Sequence, residues 1–140
     1  MMIEFVMQGK LVVRLKGGDA SLFSNILDEL ETLKKNHVPY EIIPGISAAF
    51  GAAAYTGIPL TARNHSKGVR MLTLCDLKSI EHKQWKDWAK TSDTLVFYMS
   101  VQRLQTLADQ LILNGIDTEK GLAVIQQATT PDQKTQVFYF

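Results

Sequence analysis

Cysteine is almost absent from this 140-residue chain, in which Cys75 stands alone. A single thiol excludes an intrachain disulfide framework and a thiolate zinc cluster, and it fits a reducing, cytoplasmic compartment. An excess of charge is missing as well, because 15 Lys and Arg balance 14 Asp and Glu to a net +1. Without a net field the chain has no long-range attraction for nucleic acid or anionic lipid, and no local basic patch takes its place. His37, His65 and His82 share no metal-ligand spacing with one another or with Cys75, so no metal site is expected. Walker loops, nucleophile elbows and Cys/His pairs are also absent. Nor does Met1-Met2-Ile3-Glu4-Phe5 open a basic region with a long apolar run behind it, which argues against a secretory signal.

What is present describes a soluble globular chain, 46% hydrophobic and 21% charged. That length and composition suit one domain, or two small lobes sharing a core. Residues 42–62 carry no charge and reach the bare length of a membrane span. Pro44-Gly45 and Gly57-Ile58-Pro59 interrupt that run, leaving a short buried helix rich in Ala and Gly rather than a span. No membrane association is expected.

Hydrophobic periodicity supplies the elements. A lone short helix is expected over Ile3 to Gln8, and Leu11-Val12-Val13-Arg14-Leu15, inside Lys10 to Lys16, reads as a buried strand ending at Gly17-Gly18-Asp19. Leu22, Phe23, Ile26, Leu27, Leu30 and Leu33 follow helical spacing, which predicts a helix from Leu22 to Asn36. Tyr40 to Ile43 is the next strand and Ile46 to Tyr55 the small-residue helix, an alternation that belongs to a parallel α/β sheet. Strands at Val69 to Leu74 and Thr94 to Met99 flank a helix over Glu81 to Lys90, and a further helix runs from Val101 to Leu113. Leu122 to Gln126 and Gln136 to Phe140 form a pair joined through Thr130-Pro131-Asp132, antiparallel because the connection is short. Trp85 and Trp88, three residues apart, mark an apolar helix face rather than a base-stacking platform. The closing run Val137-Phe138-Tyr139-Phe140 and the isolated opening helix both read as cut ends, with further chain expected on each side.

Two turns stand where chemistry is expected. A glycine pair at the carboxyl end of a parallel strand lets a ligand approach the backbone, and Asp19 can accept hydrogen bonds there; an ordinary turn explains the same residues. The third glycine of a dinucleotide fingerprint is absent. Pro44-Gly45-Ile46-Ser47-Ala48-Ala49 repeats the arrangement, with Ser47 either at a ligand or capping its helix. Gly51, Ala52 and Ala53 allow close packing of another backbone.

Four segments together carry a resemblance. Val12-Val13-Arg14-Leu15-Lys16-Gly17-Gly18-Asp19, Ile43-Pro44-Gly45-Ile46-Ser47-Ala48-Ala49, Tyr55-Thr56-Gly57-Ile58-Pro59-Leu60-Thr61-Ala62-Arg63 and Leu95-Val96-Phe97-Tyr98-Met99 stand in the order and spacing of the tetrapyrrole methylase family. The chain resembles its uroporphyrinogen-III C-methyltransferases, the methylase module of siroheme synthase, over essentially its whole length. The resemblance implies an α/β fold of two lobes, incomplete at both ends. Residues 1–59 would close the N-terminal lobe with its parallel sheet, and residues 60–140 would form a C-terminal lobe with a mixed sheet. It implies S-adenosyl-L-methionine in the cleft between the lobes, with S-adenosyl-L-homocysteine as product. Cofactor contacts carry over to Gly17, Gly18, Asp19, Leu22, Ser47, Ala48, Met99 and Ala128.

The reaction implied is methylation of two ring carbons of uroporphyrinogen III, giving precorrin-2 toward siroheme or cobalamin, by a cytoplasmic homodimer. Since the cofactor carries the activated methyl, the protein's task is alignment and charge handling. Arg14 and Arg63 are candidate partners for substrate carboxylates, their planar fork suiting that role, although Arg14 could equally brace the sheet. Departures are visible too. Ala20-Ser21-Leu22-Phe23-Ser24-Asn25 replaces the family's Pro-Phe and Gly-Arg-Gly-Gly-Glu stretch, Ala62 stands for a histidine and Ala128 for a glycine. The Gly-x-Gly-Pro-Gly-Asp loop and the acid and base candidates after it would lie upstream of Met1, so no catalytic residue is assigned in this chain and weak or no turnover is expected from it alone. Another precorrin methylase, or a noncatalytic interaction domain that kept the fold, are the alternatives.

Overall fold

The computed structural model describes residues 2–74 and 77–140; the expectation about Cys75 lies outside them. The chain divides into two compact units, Met1–Ala48 and Ala49–Phe140.

In the first unit, helices α1 (Met2–Met7) and α2 (Ile26–Lys35) bracket extended chain. Asp28 and Glu29 in the first turn of α2 and Lys34 and Lys35 in its last complement the helix dipole. The predicted start at Leu22 is corrected to Ile26. Phe23 and Asn25 sit in the left-handed region at φ 54° and 51°, a conformation that cannot continue into a right-handed helix. The predicted strands at Lys10 to Lys16 and Tyr40 to Ile43 are also corrected, because no described residue before Val69 lies in a strand. A strand exists only through a hydrogen-bonded neighbour, and neither segment has one among the described residues. Leu11 is therefore 93% exposed, and Val13, Leu15 and Ile43 stand out with it. What holds the first segment is charge: Arg14 Nε and Lys16 Nζ reach opposite oxygens of Glu29 on α2 at 3.2 and 3.1 Å.

The second unit takes up α3 (Ala48–Thr56) from Ala49 onward and contains the regular sheet structure. Strands β1 (Val69–Thr73) and β2 (Thr94–Tyr98) pair in parallel, Val69 opposite Thr94 and Thr73 opposite Tyr98, with α4 (His82–Lys90) in the crossover. Glu81 and Gln84 close a capping box at the start of α4, satisfying two helix-end donors reciprocally. A 3-10 turn over Val101–Arg103 leads into α5 (Leu104–Leu113), whose chain reverses at Gly115 with φ 80°. Strands β3 (Gly121–Gln126) and β4 (Lys134–Tyr139) form the expected antiparallel pair. Among the described residues the parallel and antiparallel pairs form two two-stranded ladders.

The core of this unit is Leu74, Trp85, Trp88, Ala89, Leu107, Leu111 and Ile116. Both tryptophans point inward, as the helical spacing predicts. Trp88 packs edge-on against Trp85 and Phe97 at centroid distances of 5.1 and 5.6 Å. Each large apolar side chain buried there contributes roughly 1.5–3 kcal/mol. Arg70 from β1 is gripped by Asp87 of α4 and Asp93 before β2, which ties the helix to both strands of the ladder. Arg70 holds the Asp93 carboxyl below its ordinary range. Lys90 and Lys120 donate to the carbonyls of Gly115 and Thr91, both at 2.7 Å, cross-bracing the loops after α4 and α5. No helix among the described residues is long and apolar enough to cross a membrane.

Candidate functional site

Six of the predicted cofactor residues fall in the first unit, where two turns meet backbone to backbone. Gly18 adopts φ 69°, open to glycine without cost, and turns the chain so that Asp19 faces the Pro44-Gly45 turn. One carboxylate oxygen of Asp19 accepts the backbone N–H and hydroxyl of Ser21; the other accepts the Gly45 N–H at 2.9 Å, across 26 residues. These donors, the Ser21 hydroxyl foremost, hold its carboxyl below the ordinary value of 3.8. At Gly45 a methyl group would sit 2.0 Å from the Gly18 carbonyl oxygen, so only glycine permits this approach. Ser47 is buried, and its Cα lies 3.5 Å from where a Gly18 side chain would begin. Gly17, Gly18, Asp19, Ser47 and Ala48 are thus brought together, with half-buried Leu22 one turn beyond, its N–H on the Asp19 carbonyl. Arg14 is engaged by Glu29 and by the Leu15 carbonyl, so its guanidinium braces the turn's approach.

Met99, Ala128 and Arg63 belong to the second unit. Met99 follows β2 directly, exposed and at φ 54°, an unusual state for a residue with a side chain. Ala128 lies between Gln127 and Thr129, at φ 50° and 69°, in a loop fixed by the Thr129 N–H on Gln133 Oε1 at 2.7 Å. Backbone strain of this kind concentrates at functional loops. Both positions connect to α3. The Ala49 N–H donates to the Tyr98 hydroxyl at 3.1 Å, and a side chain on Gly51 would begin 2.8 Å from the Thr129 methyl. Arg63 is exposed in a turn closed by paired hydrogen bonds between Ala62 and Ser66, with Asn64 at φ 68°. Among the described residues no group of three His, Cys, Asp or Glu side chains could hold a metal.

Comparison with known proteins decides the family. The family described as Tetrapyrrole (Corrin/Porphyrin) Methylases matches residues 1–138. The chain belongs to the tetrapyrrole methylases. Siroheme synthase of Saccharophagus degradans is 39% identical over 137 residues, which are 98% of this chain and 30% of that protein. A cobalt precorrin-4 methyltransferase structure superposes with a TM-score of 0.89 at 27% identity, over 99% of this chain and 58% of its own. The uroporphyrin-III C-methyl transferase of Thermus thermophilus, solved with S-adenosylhomocysteine, gives 0.78 at 25% identity over 99% and 60%. This tetrapyrrole methylase chain therefore spans under a third of the siroheme synthase it matches and about three fifths of the solved relatives.

Within this tetrapyrrole methylase, two features escape the linear sequence. Both oxygens of Asp19 accept hydrogen bonds from protein donors, one of them remote in sequence. Tyr98 is a residue that periodicity treats only as part of a strand. Its position beside Met99 was the available signal.

Proposed function

We propose that this chain is part of an S-adenosyl-L-methionine-dependent methyltransferase that converts uroporphyrinogen III to precorrin-2. The observation that carries the cofactor reading is the close approach of Gly18 to the Gly45-Ile46-Ser47 turn, supported by the family membership and by the S-adenosylhomocysteine complex of the Thermus relative. Bare backbone at glycines, small side chains at Ser47 and Ala48, and the apolar Leu22 suit an elongated, partly apolar ligand held by main-chain groups. When bound, the cofactor supplies an activated methyl group. The chain's own contribution is rigid placement, with Asp19 holding the two turns in register and Met99 and Ala128 presented on constrained loops. Arg63 is assigned to the substrate's carboxylates, because its guanidinium is exposed while that of Arg14 is engaged by Glu29.

The identity near 39% to a siroheme synthase favours uroporphyrinogen III as substrate. The TM-score of 0.89 to a precorrin-4 methyltransferase favours the second reading, a later precorrin methylase. Calorimetric titration of the longest natural form with S-adenosylhomocysteine tests the cofactor assignment: one site per chain is expected, and no heat of binding would leave the noncatalytic interaction domain. Uroporphyrinogen III and a precorrin, offered in turn to the longest natural form, separate the two substrate readings. In that form Arg63→Ala is expected to raise KM with little effect on turnover, and unchanged kinetics would remove Arg63 from the site. A cytoplasmic location and a homodimeric state belong to the same proposal, the first checked by cell fractionation and the second by light scattering of the purified form.

A further inference from the structure

We propose that Tyr98 is a positioning residue for the cofactor site, acting through its hydroxyl on the first turn of α3. The first amides of a helix have no carbonyl within the helix to bond, and in the described structure the Ala49 N–H is given to the Tyr98 hydroxyl at 3.1 Å. The bond spans 49 residues and joins the last residue of β2 to the second residue of α3. Its two partners are the immediate neighbours of residues assigned to the cofactor: Ala48 precedes Ala49, and Met99 follows Tyr98. Each is one peptide bond from the anchor, so the anchor restricts the backbone on which each is carried. Tyr98 is half-buried at the end of the β1–β2 ladder, paired with Thr73, and Met99 leaves that ladder at φ 54°.

The inference rests on the cofactor reading, and Tyr98→Phe tests it because only an oxygen atom is removed and the ring is kept. Two measurements on the full chain are needed, amide exchange at Ala49 by NMR and S-adenosylhomocysteine affinity by calorimetry, with a thermal melt as control. The expected result is faster exchange at Ala49, affinity lower by about five- to tenfold, and a fall in melting midpoint no larger than one lost hydrogen bond gives. Unaltered affinity in Tyr98→Phe overturns the inference alone. Weakened binding with a midpoint lowered well beyond the loss of one hydrogen bond overturns it too, by making Tyr98 a residue of folding. If the longest natural form of the parent takes up no S-adenosylhomocysteine, the cofactor reading fails and the inference falls with it, whatever the exchange at Ala49.

Discussion

At Gly45 and Asp19, single atoms decide whether two turns can meet. A methyl group at Gly45 would collide with the Gly18 carbonyl, so Gly45→Ala is expected to cost about 1–3 kcal/mol in urea unfolding and to abolish S-adenosylhomocysteine binding. Asp19 is the counterpart on the polar side. Its carboxyl titrates below 3.8 in the folded chain, so its contribution is complete above that value and is lost as pH falls through the lower, folded pKa. Asp19→Asn should therefore be less stable than the parent at pH 7, with the two stability curves converging as pH falls through that lowered folded pKa. A constant gap across that range would show that the charge is not what counts. The sequence located both residues, since Gly-Gly-Asp and Pro-Gly after apolar runs mark tight turns. What it hid was their pairing, because no local pattern tells Asp19 that its donor lies 26 residues away.

Among elements, the second unit was legible, and in the first the helices were while the strands were not. From Val69 onward each predicted strand and helix lies within a few residues of an observed one, because local periodicity and burial agree there. Leu111 on α5 is 1% exposed while Leu113, two residues on, is 76% exposed. Leu111→Ala should then lower stability by about 2–5 kcal/mol and Leu113→Ala by less than about 0.5, measured by urea denaturation. Equal effects would mean that α5 packs on another face. Before Val69 the apolar runs at residues 11–15 and 40–43 carry strand composition without a ladder. Composition describes what a residue tolerates, whereas a strand depends on a neighbour that the run itself does not contain. The same limit applied to α2: its apolar spacing continues back to Leu22, and two left-handed residues, which spacing cannot register, hold the helix to Ile26.

For the molecule as a whole, the family could be read from four short segments because their order and separation are preserved even where neighbouring residues differ. The fold class followed from alternating elements, while the division into units at Ala48, within the helix α3, has no marker in composition. The two tryptophans give this division an optical signature. Trp85 and Trp88 lie in the core of the second unit, and residues 1–48 contain none. Indole emission is thus a private reporter of one half of the chain, while far-ultraviolet dichroism sums the helices of both. If the halves melt independently, the emission midpoint should differ from the dichroism midpoint, and ligand added during the melt would reveal which half it protects; coincident midpoints would mean a single cooperative unit.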